Sequence, residues 1–174
     1  FADSKLKRVD IGGGSPQTLA DSAPRGGTWN PDGVIVFGRT VGGPLFRVSA
    51  SGGEAVAVTK LAAGQTSHRF PYFITGGRQF LFYAQGSLES QGVYLGSLAS
   101  SETKRLTAAD VAGVYAPPGW LLFVRQGTLV AQRLDLRHGL PDRARDRARV
   151  DGACGHVHRR SRGAELEGDA LPDA

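Results

Sequence analysis

The chain repeats one short pattern three times: an aromatic residue, a four-residue break that ends in glycine, and an apolar run. The three copies are TWNPDGVIVF (28–37), YFITGGRQFLFY (72–83) and VYAPPGWLLFV (114–124). The matching positions are Trp29, Phe73 and Tyr115 for the aromatic residue and Gly33, Gly77 and Gly119 for the glycine. A repeat constrains the fold strongly, because each copy must form the same unit and bury its apolar face against the next unit.

A second element also recurs, as LKRVDIGGGSPQTL (6–19), LFRVSASGGEAVAV (45–58) and VYLGSLASSETKRL (93–106), and LVAQRLDL (129–136) begins in the same way. Its copies start 39, 48 and 36 residues apart. A period near 40 residues with several short strands per unit is typical of a β-propeller blade. No helical periodicity is visible inside a unit, which disfavours the helical solenoids. The sequence therefore predicts an all-β fold: a partial β-propeller of antiparallel four-stranded blades over residues 1–137, with about three to three and a half blades.

One complete unit can be traced along the chain. We predict an inner strand that ends at Trp29, a turn at 30–33, strands at Val34–Gly38 and Leu45–Ser49, and an outer strand at Ala55–Thr59. The Gly52-Gly53 pair supplies the last turn, because glycine adopts the positive φ that tight turns require.

The turn at 30–33 could instead be an acidic site, since it carries Asp32. Its Asn, Pro31 and Gly occupy the positions that a type I turn favours, and proline presets the backbone angle there. The equivalent turns place Gly76 and Pro118 where the first turn has Asp32. A catalytic or metal-binding carboxylate would not be replaced in this way, so we predict a turn residue that faces water.

Motifs for catalysis or cofactor binding are missing from the sequence. The GGGS stretch at 12–15 resembles a phosphate loop but lacks the Gly-Lys-Ser/Thr that would follow it. The kinase signatures and the Gly-x-Ser-x-Gly elbow of hydrolases do not occur. We therefore predict no enzyme activity and no cofactor in this chain.

His68 lies where we predict a connection between an outer strand and the next inner strand. Such loops often line a ligand-facing surface of a propeller. One hypothesis joins His68 with Arg69 and with Arg25, on the equivalent connection of the preceding unit, as an anion-binding rim. The alternative is a loop histidine that forms hydrogen bonds within its own unit.

Residues 138–174 differ from the rest of the chain. They contain no aromatic residue, and Val150 and Val157 are their only β-branched residues. Such a segment buries too little apolar surface to offset its ordering entropy, so we predict a disordered or weakly helical tail. A frame-shifted version of DNA that encoded another blade would explain why the repeat stops. Cys154, His156 and His158 lack the second pair of ligands of a usual zinc site, so no metal is predicted.

Charge and hydropathy limit the partners. The net charge is +5, and the 7 basic and 7 acidic residues of 138–174 cancel, so the surplus lies in 1–137. No basic stripe is interleaved with stacking aromatics, which predicts no nucleic-acid partner. No apolar run approaches the roughly 18 to 20 residues that span a bilayer, which predicts no membrane span in this segment.

The motif from Trp29 to Gly33, followed by an apolar strand and LFRVSASGG, resembles the blade of TolB-like, WD-repeat-like propellers. The longer run SHRFPYFITGGRQFLFYAQ, GVYLGSLASSETKRL and YAPPGWLLFVRQGTLVAQ is similar to the propeller that follows the kinase domain in bacterial membrane-anchored serine/threonine kinases. The resemblance covers residues 5 to about 137. Only one of the three turns keeps Pro-Asp-Gly, and the pattern is lost after about Arg137.

The resemblance implies an extracytoplasmic or periplasmic module that senses or binds a ligand or a protein, while phosphoryl transfer takes place elsewhere. Further blades of the same parent chain would complete the propeller. Two alternatives stay open: a TolB-like periplasmic scaffold that binds protein partners, and the propeller domain of a prolyl-oligopeptidase-like hydrolase. Sequence beyond both ends would separate the three.

Overall fold

The computed structural model describes residues 2–134, and these residues form β-strands joined by turns and loops. The predicted all-β class is confirmed. The strands within this range are β1 (Lys5–Arg8), β2 (Gln17–Asp21), β3 (Gly27–Trp29), β4 (Val34–Gly38), β5 (Leu45–Ser49), β6 (Val56–Ala57), β7 (Gln65–Phe73), β8 (Gln79–Gly86), β9 (Gly92–Ser97), β10 (Ser100–Thr107), β11 (Val114–Ala116), β12 (Trp120–Arg125) and β13 (Thr128–Arg133). The predictions for the tail at 138–174, including Cys154, His156 and His158, lie outside the described residues.

The strands form four antiparallel sheets, and within each sheet the strands follow one another in chain order. Sheet 1 contains β1 and β2, sheet 2 contains β3 to β6, sheet 3 contains β7 to β10, and sheet 4 contains β11 to β13. Each aromatic-turn-glycine copy forms the first two strands of sheet 2, 3 or 4. Between residues 2 and 134, we find no helix with the length and apolarity of a bilayer span.

The predicted repeat unit matches sheet 2 except at its outer strand. β6 covers two residues, Val56–Ala57, instead of the predicted Ala55–Thr59. The ladder ends early because a side chain replaces the backbone acceptor. The Leu45 amide donates to the Thr59 hydroxyl at 2.9 Å, after a last backbone bond of 2.9 Å from the Val58 amide to the Leu45 carbonyl.

Three hydrophobic layers hold the four sheets together, and each layer joins two sheets that are consecutive in the chain. Side chains alternate along a strand, so β4 directs Ile35 and Phe37 toward sheet 1 and Val36 toward sheet 3. β8 likewise directs Phe80 and Phe82 toward sheet 2 and Leu81 toward sheet 4. Both strands are therefore apolar on both faces, which explains their continuous apolar runs in the sequence.

Strand β7 is also hydrogen-bonded to sheet 2. Gly43, in the loop between β4 and β5, receives the His68 amide at 2.9 Å and donates its own amide to the Thr66 carbonyl at 3.0 Å. Further along β7, the Phe70 amide donates to the Arg25 carbonyl at 2.7 Å. Sheets 2 and 3 are thus connected by backbone bonds as well as by apolar packing.

The turn at 30–33 forms as predicted, and Asp32 is exposed. The Gly33 amide donates to the Asn30 carbonyl at 3.1 Å, which closes the turn. The Asn30 side chain is 3% exposed; its Oδ1 accepts from the Val34 amide at 2.8 Å, and its Nδ2 donates to the Gly77 carbonyl at 2.8 Å. Gly77 closes the equivalent turn of sheet 3, so one asparagine side chain joins two repeated turns.

We expect the substitution Asn30→Ala to lower the free energy of unfolding by about 2 to 4 kcal/mol, because it leaves the part-buried Val34 amide and the buried Gly77 carbonyl without partners. Chemical denaturation measures this loss. Asp32→Ala is the matched control in the same turn, and its effect should stay within about 0.5 kcal/mol, as is usual for an exposed position. Equal losses in the two variants would contradict the structural role of the Asn30 side chain.

Candidate binding surface

The first strands of sheets 2 and 3, β3 and β7, each lie at an edge of their sheet and expose aromatic residues. Trp29 is 54% exposed in β3, and Phe70 and Tyr72 are 46% and 45% exposed in β7. Exposed aromatic side chains that are held by a rigid sheet offer contact area to a partner at a low entropic cost. The residues around these two edges therefore form a candidate binding surface.

The structure brings together the two predicted rim arginines. Arg25 and Arg69 each precede the aromatic residue of their repeat by four positions. The Arg25 carbonyl accepts the amide of Phe70, which follows Arg69 directly. Arg25 donates from Nε to the Val41 carbonyl at 3.3 Å, and Arg69 donates from Nε to the Ser67 hydroxyl at 2.7 Å.

The two guanidinium groups influence each other electrostatically. Burial lowers the pKa of Arg69, and the positive charge of Arg25 lowers it further. The ion pairs of the described residues are Lys5–Asp21, Lys7–Asp3 and Arg8–Asp10, so within residues 2–134 neither rim arginine has a carboxylate partner. The pair is a local concentration of positive charge that is not neutralised by this part of the chain.

Phe70 adopts an unusual backbone conformation between these arginines. Its φ is 52°, in a region that bulky residues rarely populate, and the pairing of β7 with β8 shifts register between Arg69 and Tyr72. Gly26, which directly precedes β3, packs against it so closely that a Cβ on Gly26 would lie 2.9 Å from the Phe70 Cα. Register shifts of this kind are frequent next to functional sites.

His68 is not part of this rim. It lies within β7, not in a connection, and is 2% exposed, so the prediction that it is a loop residue is wrong. Nδ1 lies 2.8 Å from the Thr59 hydroxyl, and Nε2 lies 2.9 Å from Oε1 of Gln65. A buried ring with both nitrogens bonded has no group to offer a ligand, and the rim is reduced to Arg25 and Arg69.

The neighbours of His68 determine which nitrogen carries the proton. Gln65 Oε1 accepts the Ala62 amide at 2.8 Å, which identifies it as an oxygen, and it can only accept from Nε2. Thr59 accepts the Leu45 amide, and its hydroxyl can donate to Nδ1 of a neutral ring. The neutral ring therefore carries its proton on Nε2, and burial lowers the pKa of His68 from 6.5 to about 4.

Two shallow grooves flank Trp29, and neither contains the arginine pair. The first has a volume of about 180 Å³ and is lined by Leu6, Lys7, Arg8, Gly27, Thr28, Trp29 and Ile35. The second has a volume of about 390 Å³ and is lined by Trp29, the turn that follows it, and residues 73–77. The half-buried arginine pair therefore lies outside both grooves.

Sequence and structure contribute differently to this surface. The repeat alignment identified Arg25 and Arg69, but it missed Phe70 and the bonds of Thr59 and Gln65 to His68. Pro71 was an available signal, because proline inside a strand marks an edge or a bulge.

Residues 2–134 contain no group of three or more His, Cys, Asp or Glu side chains arranged to hold a metal ion. Neither a protein-family model nor a curated protein matches the chain.

We expect the stability of the protein to fall as the pH falls from 6.5 toward about 4. In this range the unfolded chain binds a proton on His68 that the folded chain does not bind, so acid favours unfolding. The stabilisation is complete above pH 6.5 and its loss approaches roughly 3 kcal/mol near pH 4.

Urea denaturation at several pH values measures this effect. His68→Gln serves as the comparison, because glutamine does not titrate and the carboxylates of both proteins are the same. The free energy of unfolding of the native protein should decrease more steeply with acidification than that of the variant. Parallel pH profiles would show that His68 does not stay neutral in the folded state.

Proposed function

We propose that residues 1–137 belong to a β-propeller that binds a ligand or a protein partner and catalyses no reaction of its own. The observation that carries this proposal is the succession of four antiparallel sheets in chain order, each joined to the next by its own hydrophobic layer. A propeller is built from such repeated sheets, and binding to its faces and loops is its usual role. The sequence resemblance favours the sensory region of a bacterial receptor-like serine/threonine kinase, outside the cytoplasm.

The position of the exposed side chains supports a binding role. In a propeller, β3, β7 and β11 would be the inner strands, and each is the first strand at the edge of its sheet. Trp29, Phe70 and Tyr72 are exposed on two of these strands, with the arginine pair beside them. A partner that contacts this edge would meet aromatic surface and positive charge together.

The polar groups that could suggest catalysis have structural roles in this arrangement. His68 is buried with both nitrogens bonded, and Asp32 is an exposed residue of a tight turn. A general base needs a free nitrogen or oxygen within reach of its substrate. These contacts support the proposal that the described residues bind a partner and do not catalyse a reaction themselves.

We expect fragments that bind the protein to perturb backbone amide signals at residues 25–29 and 66–72. Titration of the ¹⁵N-labelled chain with a library of charged and aromatic fragments, followed by ¹H–¹⁵N correlation spectra, measures this. The same preparation should transfer no phosphate from ATP to a protein substrate and should cleave no peptide. Intrinsic activity in either assay, or fragment binding confined to other surfaces, would contradict the proposed function.

A further inference from the structure

We propose that Arg25, Arg69 and Phe70 form a site for an oxyanion that is attached to a flat apolar group, such as an aryl phosphate or an aryl carboxylate. This inference rests on the proposed function, because it names the ligand class of the same surface. The two arginines supply the positive charge, and the Phe70 ring supplies an apolar face beside it. Arg69 and Phe70 belong to β7 of sheet 3, and Arg25 lies in the connection between β2 and β3.

Neither Arg25 nor Arg69 has a carboxylate partner within residues 2–134. Each guanidinium uses Nε for a bond within the protein, to the Val41 carbonyl or to the Ser67 hydroxyl. The terminal nitrogens form no ion pair within the part of the chain that is described. An oxyanion that accepts from both arginines would form charge-assisted hydrogen bonds and relieve the repulsion between them.

The side chains of Arg25 and Arg69 are both held in place. The stem of Arg25 lies against the backbone of Gly38, where an added Cβ would be 2.5 Å from the Arg25 Cβ. Arg69 is bonded to Ser67, whose side chain is buried. Because the stems are already ordered, less conformational entropy is lost when an anion binds.

Phe70 has a strained backbone and an exposed side chain. Phe70 combines a positive φ with 46% exposure, and it precedes Pro71, which restricts its backbone further. Strain of this kind persists where the surrounding structure imposes it, and it concentrates at binding sites. The ring packs beside Gly26, with Cδ1 3.1 Å from where a Cβ would stand, and these two contacting residues directly follow Arg69 and Arg25 in the sequence.

Asp110 acts electrostatically on Tyr83 but, among the described residues, forms no ion pair with Arg25 or Arg69. Tyr83 lies directly opposite Arg69 in the β7–β8 register. Burial raises the pKa of Tyr83, the charge of Asp110 raises it further, and the positive charge of Arg69 lowers it. Asp110 accepts the Gly127 amide at 3.2 Å, which holds its carboxylate beside the β12–β13 turn of sheet 4.

The test is an NMR titration of the intact chain at neutral pH and constant ionic strength with phenyl phosphate, benzoate, inorganic phosphate and phenol. Phenyl phosphate and benzoate should shift the Nε–H signals of Arg25 and Arg69 and the amide of Phe70. Inorganic phosphate should shift the arginine signals more weakly, and phenol should shift none of them. The loss of each charged partner, in Arg25→Gln or Arg69→Gln, should weaken phenyl phosphate binding by about fivefold or more.

Two further variants separate charge from stacking. Phe70→Gly tolerates the positive φ and removes the ring, so it should weaken phenyl phosphate binding about fivefold and leave inorganic phosphate binding unchanged. Arg47→Gln is the matched control, because Arg47 is an exposed arginine that donates to the Leu98 carbonyl in another part of the sheets. It should bind phenyl phosphate as the native protein does. If Arg25→Gln does not fold, Arg25→Lys is used instead. Lysine keeps the positive charge but lacks the planar guanidinium that can form two parallel hydrogen bonds to an oxyanion.

The proposal is overturned if phenyl phosphate and benzoate fail to bind, or if Arg69→Gln binds phenyl phosphate as tightly as the Arg47→Gln control does. If Phe70→Gly weakens the binding of inorganic phosphate as much as that of phenyl phosphate, then the Phe70 ring does not contact the aryl group and this part of the proposal is wrong. If neutral fragments bind at residues 25–29 and 66–72 while no oxyanion does, the proposed function stands and this inference fails. Intrinsic catalysis by the chain would instead contradict the proposed function itself.

Discussion

The burial of both faces of β4 and β8 is the constraint on which the rest of the structure depends. A strand of this kind cannot lie on the surface of a two-layer protein, because its side chains alternate between opposite sides. In β4, Phe37 packs toward sheet 1 and Val36 packs toward sheet 3; both side chains are fully buried, and each requires its own neighbouring sheet. The stack of sheets follows from this requirement, and the turns and edge strands occupy the positions that the stack leaves for them.

The polar groups between sheets 2 and 3 favour one position of these two sheets relative to each other. His68 lies 4.6 Å from Phe82, measured between ring centroids, so a polar network borders the apolar layer directly. Each of its members is satisfied, since the amides of Leu45 and Ala62 complete the bonds of Thr59 and Gln65. A satisfied buried network favours one relative position of the two sheets, because a shift would leave several of these groups without partners. The position of Arg25 relative to Arg69 depends on this fixed arrangement of sheets 2 and 3.

The parts of the fold that were predictable from the sequence are those that depend on local chemistry. The turn at Asn30 follows from residue preferences at four adjacent positions, and the strands of sheet 2 follow from the repeat. The environment of His68 was not predictable in the same way, because its burial depends on how two sheets pack. The positive φ of Phe70 was not predictable either, because it accompanies close packing against Gly26, which is distant in the sequence. The early end of β6 depends on a side chain, Thr59, that takes over a backbone role.

The three hydrophobic layers have a consequence for how such a chain can change over time. Each layer is formed by two sheets that are consecutive in the chain, so stability is close to a sum of local terms and couplings between neighbours. A duplication that adds one sheet would create one new coupling and leave the existing layers unaltered. The differences between the copies, such as Arg25 and Arg69 against Val111 at the third equivalent position, show how individual units can then diverge. The architecture is modular, and each unit can acquire surface chemistry independently of the others.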